Sequence, residues 1–382
     1  MSGIWSKALP RESVSTTTLW SSFAEISVFR KPSLMTLIHT KLFSNNDAAI
    51  VSDILLTADD PSPKKKSLWL IAEGRVDEMN YSTVGHMQKT IFISRRCLFQ
   101  WAGQMVVARS IYYFVKQRAR APFEEIKASL CREFSEKELD AVEFSIIRLN
   151  SGRIEFFGHD GNTTSHSEGI KWVSGSGAWL VDPDNHPGDK MFNDKVEGEE
   201  LIDDETSDLL NRLYQGEAGA YTYDPFRAGG WYEINIVRDG VFRRVPYAVC
   251  YYDLDLVEQS GSTNPTLAIF SRYMQDRLLI HRVWGKTKAS EIHVVDSFKG
   301  QFSSKVVEPD RYFLGGLHNW ELVFQIAIRN GGTQVVSQIT QNTSPIDEVE
   351  IADLDKPRFF ASKSTVEFLK GQIERMPPIS ER

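Results

Sequence analysis

The sequence predicts an α+β protein of two antiparallel sheets with helices outside, and three observations carry that expectation. Strand-like runs come in neighbouring pairs joined by short polar turns, as on either side of Ser44-Asn45-Asn46 and Asn150-Ser151-Gly152. Two helical stretches stand between the fourth strand and the fifth. Further strands follow a small-residue turn, "VSGSGA". Of 382 residues, 41% are hydrophobic and 25% charged, which is ordinary for a chain that buries a core.

In chain order, residues 1–35 are rich in Ser and Thr and end at the Pro32-Ser33 break, so they read as an extension. Thr36–Phe43 and Ala48–Leu56 alternate as two strands. "ADDPSPKKK" opens a loop, and "SLWLIAEG" reads as an inserted strand. Strands at Thr90–Ile93 and Leu98–Trp101 follow. Ala102-Gly103 then opens a helix to about Arg118, with Met105, Ala108, Ile111 or Tyr112, and Val115 on one face. Pro122 starts a second helix through Phe134. "FSIIRL" and "RIEFFG" form a hairpin across Asn150-Ser151-Gly152. Residues 183–206 read as an acidic insertion, Asp208–Gln215 as a helix, and "YDPFRAGGWYEINIV" as a turn entering a strand. From residue 246 onward the chain is mostly strand, with a closing helix at Thr365–Arg375.

Several function classes are disfavoured. A net charge of −7 is no footprint for nucleic acid, and Lys64-Lys65-Lys66 reads as a solvated loop tip. Cys97, Cys131 and Cys250 have no paired spacing, which argues against a disulfide framework and fits a reducing cytoplasm. No apolar run reaches the length of a membrane span, and the opening residues lack the order of a signal peptide. His159, His166 and His186 fall in loops and His281 and His293 on strands, with no ligand spacing for a metal; no cofactor is expected. Asp253 and Asp255 in "YYDLDL" read as one exposed strand face.

The motifs that remain are Thr36 opening a strand, Asp53 in "AIVSD", Thr57, Lys89 in "QKTIFI", Ala102-Gly103, Gly175-Ser176-Gly177, and Gly229-Gly230 after Asp224. In order and placement this set resembles the proteasome β-subunit and its bacterial relative HslV, of the N-terminal-nucleophile (Ntn) hydrolases. The resemblance covers about residues 36–245. It implies an αββα sandwich, with residues 1–35 as extension or propeptide, 36–245 as the Ntn domain and 246–382 as a β-rich C-terminal region. The chain departs from the family pattern at Leu55, where an arginine is usual, and at Ala228, where a serine is usual. It also carries an extra residue between Thr36 and Asp53 and a longer segment between Thr57 and Lys89.

The resemblance implies a threonine hydrolase of peptide or other amide bonds. A threonine hydroxyl needs a base, and a free α-amine, with a pKa of roughly 7.7–8.0, can serve. Lys89 would depress that amine's pKa and Asp53 would hold Lys89 charged. Ala102-Gly103 would offer a backbone oxyanion donor, Ser176 would reach the Thr36 amine, and Asp224 would fix Ser176. The amine is exposed if residues 1–35 are removed, or if synthesis starts at Met35 and that methionine is cleaved. If the segment stays attached, the expected role is that of a catalytically silent structural or interaction protein. Expected partners are a peptide or protein substrate, or a protein bound through the C-terminal region. The first predicted helix carries more apolar groups than one stripe needs, Ile111 to Val115 in succession. That surplus is expected to meet a neighbouring subunit or the C-terminal region, and cover by the latter would leave a monomer or dimer rather than a ring.

Overall fold

Alternation in the first hairpin sets the register of the central sheet. In the computed structural model, which describes residues 36–58, 82–166, 169–175, 231–274, 276–284, 290–298, 322–329, 334–341, 346–350, 358–361 and 363–375, β1 (Ile38–Phe43) pairs with β2 (Ala48–Asp53) from Ile38↔Ser52 to Leu42↔Ala48. The turn closes where the Phe43 N–H donates to the Asp47 carbonyl at 2.9 Å. Asn46 sits at φ 65°, a left-handed position that asparagine tolerates. The central sheet runs β12 (Val241–Arg244), β11 (Tyr232–Arg238), β2, β1, β10 (Gly169–Ser174) and β9 (Asn162–His166), all antiparallel.

A second antiparallel sheet holds β5 (Thr90–Ser94), β6 (Cys97–Gly103), β7 (Val142–Asn150) and β8 (Arg153–His159). Between β6 and β7 come α1 (Met105–Gln117), α2 (Phe123–Glu133) and the short α3 (Glu136–Leu139). A third sheet follows the order β16 (Ser290–Val295), β15 (Arg277–Trp284), β14 (Leu267–Met274), β13 (Tyr247–Asp253), β17 (Leu322–Arg329) and β18 (Gln334–Gln341). Only its β13–β17 pairing is parallel. The two helices α4 (Leu254–Ser260) and α5 (Lys363–Arg375) accompany it. Two small pairs, β3 (Leu55–Ala58) with β4 (Ser82–His86) and β19 (Ile346–Glu350) with β20 (Arg358–Ala361), complete the described strands.

The two faces of the central sheet bury against different partners. Ala48, Ile50 and Val237 meet Leu98, Ile147 and Leu149 of the second sheet. Their strand neighbours Ala49, Val51, Ile234 and Ile236 meet Tyr247, Val249, Ile269, Ile280 and Phe324 of the third sheet. Ile111, Tyr112 and Val115 of α1 and Ile126 and Leu130 of α2 cover the far face of the second sheet. Val257 of α4 and Phe368 and Leu369 of α5 cover the far face of the third. The layers thus run helix, sheet, sheet, sheet, helix, because strands alternating apolar on both sides need cover on both sides. The mixed, mostly antiparallel α+β class agrees with the expectation; the third sheet is an addition to it. Residues Leu34–Arg382 form one compact unit, and the core shared by Ile234 and Tyr247 crosses position 245.

Several local expectations are corrected. Ala102 and Gly103 end β6 rather than open a helix, since both still pair with β7, opposite Glu143 and Val142. Gly103, at φ 101°, turns the chain before α1 begins at Met105. Ala48–Leu56 is two strands, because β2 stops at Asp53 and Leu55 joins β3. His159 and His166 lie at strand ends. Asp253 caps α4, its carboxylate accepting the Leu256 N–H at 3.2 Å, and Asp255 in the same helix pairs with Arg329 at 3.0 Å. The apolar surplus on α1 is met partly between the helices and partly by the C-terminal region. Phe114 packs edge-on to Phe134, with ring centroids 5.6 Å apart, and Tyr113 donates to the Phe298 carbonyl at 2.9 Å. Residues 1–35, Lys64-Lys65-Lys66, "SLWLIAEG", His186, 183–206 and Asp208–Gln215 lie outside the described residues. Among the described residues no helix is long and apolar enough to cross a membrane.

Candidate active site

Thr36 lies two residues before β1, and Asp53 closes β2. Continuing the hairpin register by one pair sets Asp53 opposite Leu37. The Asp53 N–H donates to the Leu37 carbonyl at 3.0 Å, while Asp53 Oδ1 accepts the Leu37 N–H at 3.1 Å. The aspartate side chain therefore clamps the start of β1 beside Thr36.

Lys89 arrives from the second sheet, one residue before β5. Its Nζ donates to Asp53 Oδ1 at 2.7 Å and also to Thr36 Oγ1. The three residues are 3%, 0% and 1% exposed for Thr36, Asp53 and Lys89. An isolated ammonium at that depth would be strongly disfavoured, so the carboxylate contact is what permits it. Burial pushes the Lys89 pKa below its ordinary value, and the charge and hydrogen bond of Asp53 act in the opposite direction. The result is an amine that releases its proton more readily than an exposed lysine, in contact with a hydroxyl.

A polar seam between the central and second sheets fixes this contact. Glu233 on β11 is 1% exposed, and its Oε2 accepts the backbone N–H groups of Lys89 at 2.7 Å and Thr90 at 3.0 Å. Ser52 donates to the same oxygen at 3.2 Å and lies 2.8 Å from the Thr90 hydroxyl, while Tyr273 O–H donates to Glu233 Oε1 at 3.3 Å. Burial pushes the Glu233 carboxyl up to about 7 against the pull of these donors and of Arg244. Further along, Gln100 Oε1 accepts from Thr40 at 2.6 Å and Ser145 at 3.0 Å.

On the other side of Thr36 lies Gly175, at φ 90°, so close that a Cβ there would overlap the Thr36 carbonyl. Glu143 on β7 holds this turn, accepting the Gly175 N–H at 2.6 Å and the Ser174 hydroxyl. Ala102 packs against Ile38 and Trp172, two residues along β1 from Thr36. The structure therefore brings together Thr36, Asp53 and Lys89, with Ala102 and Gly175 nearby. Ser176, Gly177, Asp224 and Gly229-Gly230 lie outside the described residues. Glu233 was not anticipated: in "WYEINIV" it alternates with apolar residues as a solvent-facing position would. Among the described residues, no group of three or more His, Cys, Asp or Glu is placed to hold a metal ion.

Comparison with known protein-family models and with curated proteins gives no match.

Proposed function

We propose that the chain is a proteasome-like threonine hydrolase of peptide or other amide bonds, acting through Thr36 once its α-amine is free. The observation that carries this reading is the position of Lys89 Nζ, which bridges Thr36 Oγ1 and Asp53 Oδ1 in a buried setting. A strand-opening threonine has no packing need for a lysine at its hydroxyl.

In this reading Thr36 Oγ1 attacks the scissile carbonyl carbon and its proton passes to the Thr36 amine, directly or through a water. The tetrahedral adduct collapses as the C–N bond breaks, and the ammonium returns the proton to the leaving amine. Water then attacks the resulting ester with the same amine as base, releasing the acid and regenerating Thr36. The Lys89 ammonium lowers the pKa of both hydroxyl and amine by its charge, and Asp53 keeps that charge in place. Ala102 and Gly103 supply the small-residue strand end from which a backbone N–H would meet the oxyanion.

A second reading, a catalytically silent Ntn-fold interaction protein, is favoured by one observation. Thr36, Asp53 and Lys89 are closed from solvent, and while Thr36 is peptide-linked to Met35 its nitrogen is an amide without basicity. In that state the Asp53–Lys89 pair anchors β1 to two sheets. Intact mass of the purified chain, followed by exposure to a threonine-directed electrophile, separates the readings. The hydrolase predicts a species beginning at Thr36 that gains the probe mass on Thr36. Thr36→Ala should abolish labelling and lower turnover by at least about 10³-fold while leaving the fold intact, and Lys89→Ala should match it because the two act as one unit. A full-length chain that never labels, together with a chain produced from Thr36 onward that never labels, sinks the hydrolase.

A further inference from the structure

The structure assigns Glu233 a positioning role: its carboxylate sets where Lys89 stands relative to Thr36 and Asp53. The inference rests on the hydrolase reading of the site and extends it by a residue on a different element.

Thr36 and Asp53 belong to the central sheet and Lys89 to the second, so their contact depends on how the two sheets are registered face to face. Apolar layers such as Ile50 against Leu98 and Ile147 tolerate sliding, because dispersion and hydrophobic contact have little direction. Hydrogen bonds do have direction. Glu233 makes two of the bonds that span the gap beside Lys89, and the Ser52 hydroxyl, 2.8 Å from that of Thr90, makes another. Glu233 sits on β11, opposite Ser52 of β2. From there it accepts the main-chain N–H groups of Lys89 and Thr90 at 2.7 and 3.0 Å. Those two N–H groups lie where β5 begins, so the carboxylate does for the second sheet what Asp53 does for β1. Tyr273 from the third sheet holds the other oxygen at 3.3 Å. Three sheets therefore meet on one side chain. The contact is to the backbone of Lys89, whereas the charge partner of Nζ is Asp53, at 2.7 Å. The Glu233 charge also favours the Lys89 ammonium, less than that of Asp53 does, and reach and acceptor geometry are separable from that charge by substitution.

Two conservative variants distinguish those possibilities. Glu233→Gln keeps the chain length and an acceptor oxygen for both amides but removes the charge. Glu233→Asp keeps the charge but withdraws the acceptor by one methylene. In a chain beginning at Thr36, positioning predicts that Glu233→Gln labels Thr36 with the electrophile within about threefold of wild type. Glu233→Asp should be slower by about tenfold or more at equal folded fraction. The reverse order, or equal rates for all three chains, overturns the proposal.

A second readout does not need catalysis. With ¹⁵N-lysine labelling, the Lys89 amide proton should be shifted downfield by its short bond to an acceptor. It should keep that shift in Glu233→Gln and lose it in Glu233→Asp. If the wild type never labels but the amide behaves in this way, the hydrolase reading fails and Glu233's placement of Lys89 stands. If the amide is unmoved in Glu233→Asp, the placement itself is refuted.

Discussion

Gly175 lies where a single methyl group has the clearest consequence for Thr36. Its φ of 90° is strained for any L side chain, and the added Cβ would meet the Thr36 backbone, which cannot swing aside. Gly175→Ala should destabilise the fold by about 3 kcal/mol and shift Thr36 away from Lys89, seen as a lower denaturation midpoint. The titration of Glu233 gives a second residue-scale expectation. Its folded pKa, about 7, lies above the ordinary 4.5. Between those values the native state holds a proton that the unfolded chain has released. The stability tied to neutral Glu233 is therefore complete below pH 4.5 and lost as pH rises through 7. The charged and titratable groups facing it are Lys89, with Asp53 behind, Arg244 and Tyr273. His281, which burial pushes down to about 4, runs the opposite way: its stabilisation is lost as pH falls through 4. The signature is thus the difference in Tm between wild type and Glu233→Gln, which should decline from pH 4.5 to 7 and then level off. A flat difference would contradict the assignment.

At the scale of elements, the central and second sheets are joined by a polar seam set in apolar surroundings. Gln100 is its middle, accepting from Thr40 on β1 and Ser145 on β7. Gln100→Leu fills a similar volume but leaves two buried hydroxyls without that acceptor, at a cost of about 1–3 kcal/mol. Urea titration should show a lower midpoint with an unchanged slope; an unchanged midpoint would mean the seam contributes nothing. The hairpins were legible because their turns are local chemistry. Asn46 and Ser151-Gly152 all take positive φ, as the tight turns at those positions require. The end of β6 was misread because Ala102-Gly103 has no local mark distinguishing the last ladder pair from the first helical turn. The pairing with Glu143 and Val142, distant in sequence, decides it.

For the whole molecule, the described part of the region after residue 246 covers the central sheet, and its Phe298 also packs on the outer helix α1. Trp231 stacks on Tyr247 with ring centroids 4.8 Å apart and planes 9° from parallel, at the junction of the two. A chain ending at Val245 would bare Val51, Trp231, Ile234 and Ile236, all buried against the third sheet. At roughly 25 cal/mol per Å² of apolar surface, returning several such side chains to water costs more than a marginally stable fold retains. That chain should be insoluble or self-associated in light scattering; a soluble monomer with a cooperative unfolding transition would show the third sheet to be dispensable. On α1, Met105 and Val106 stay 40% and 72% exposed, while Phe298 packs on Tyr112 near the middle of the helix.

The sequence by itself determined most of the strands, the hairpin turns and the two longer helices between β6 and β7, and its resemblance to the Ntn hydrolases singled out Thr36, Asp53 and Lys89. Periodicity and turn chemistry act over a few residues, so local elements are legible, whereas those three stand out only through their order along the chain and the resemblance it carries. Tertiary structure alone decided that Lys89 touches both partners, that a third sheet lies on the central one, and that Glu233 stands inside rather than outside. The physical reason is that alternation tells which residues share a face but not what the face meets. A polar residue opposite water and one opposite the backbone amides of another sheet leave the same trace in the chain.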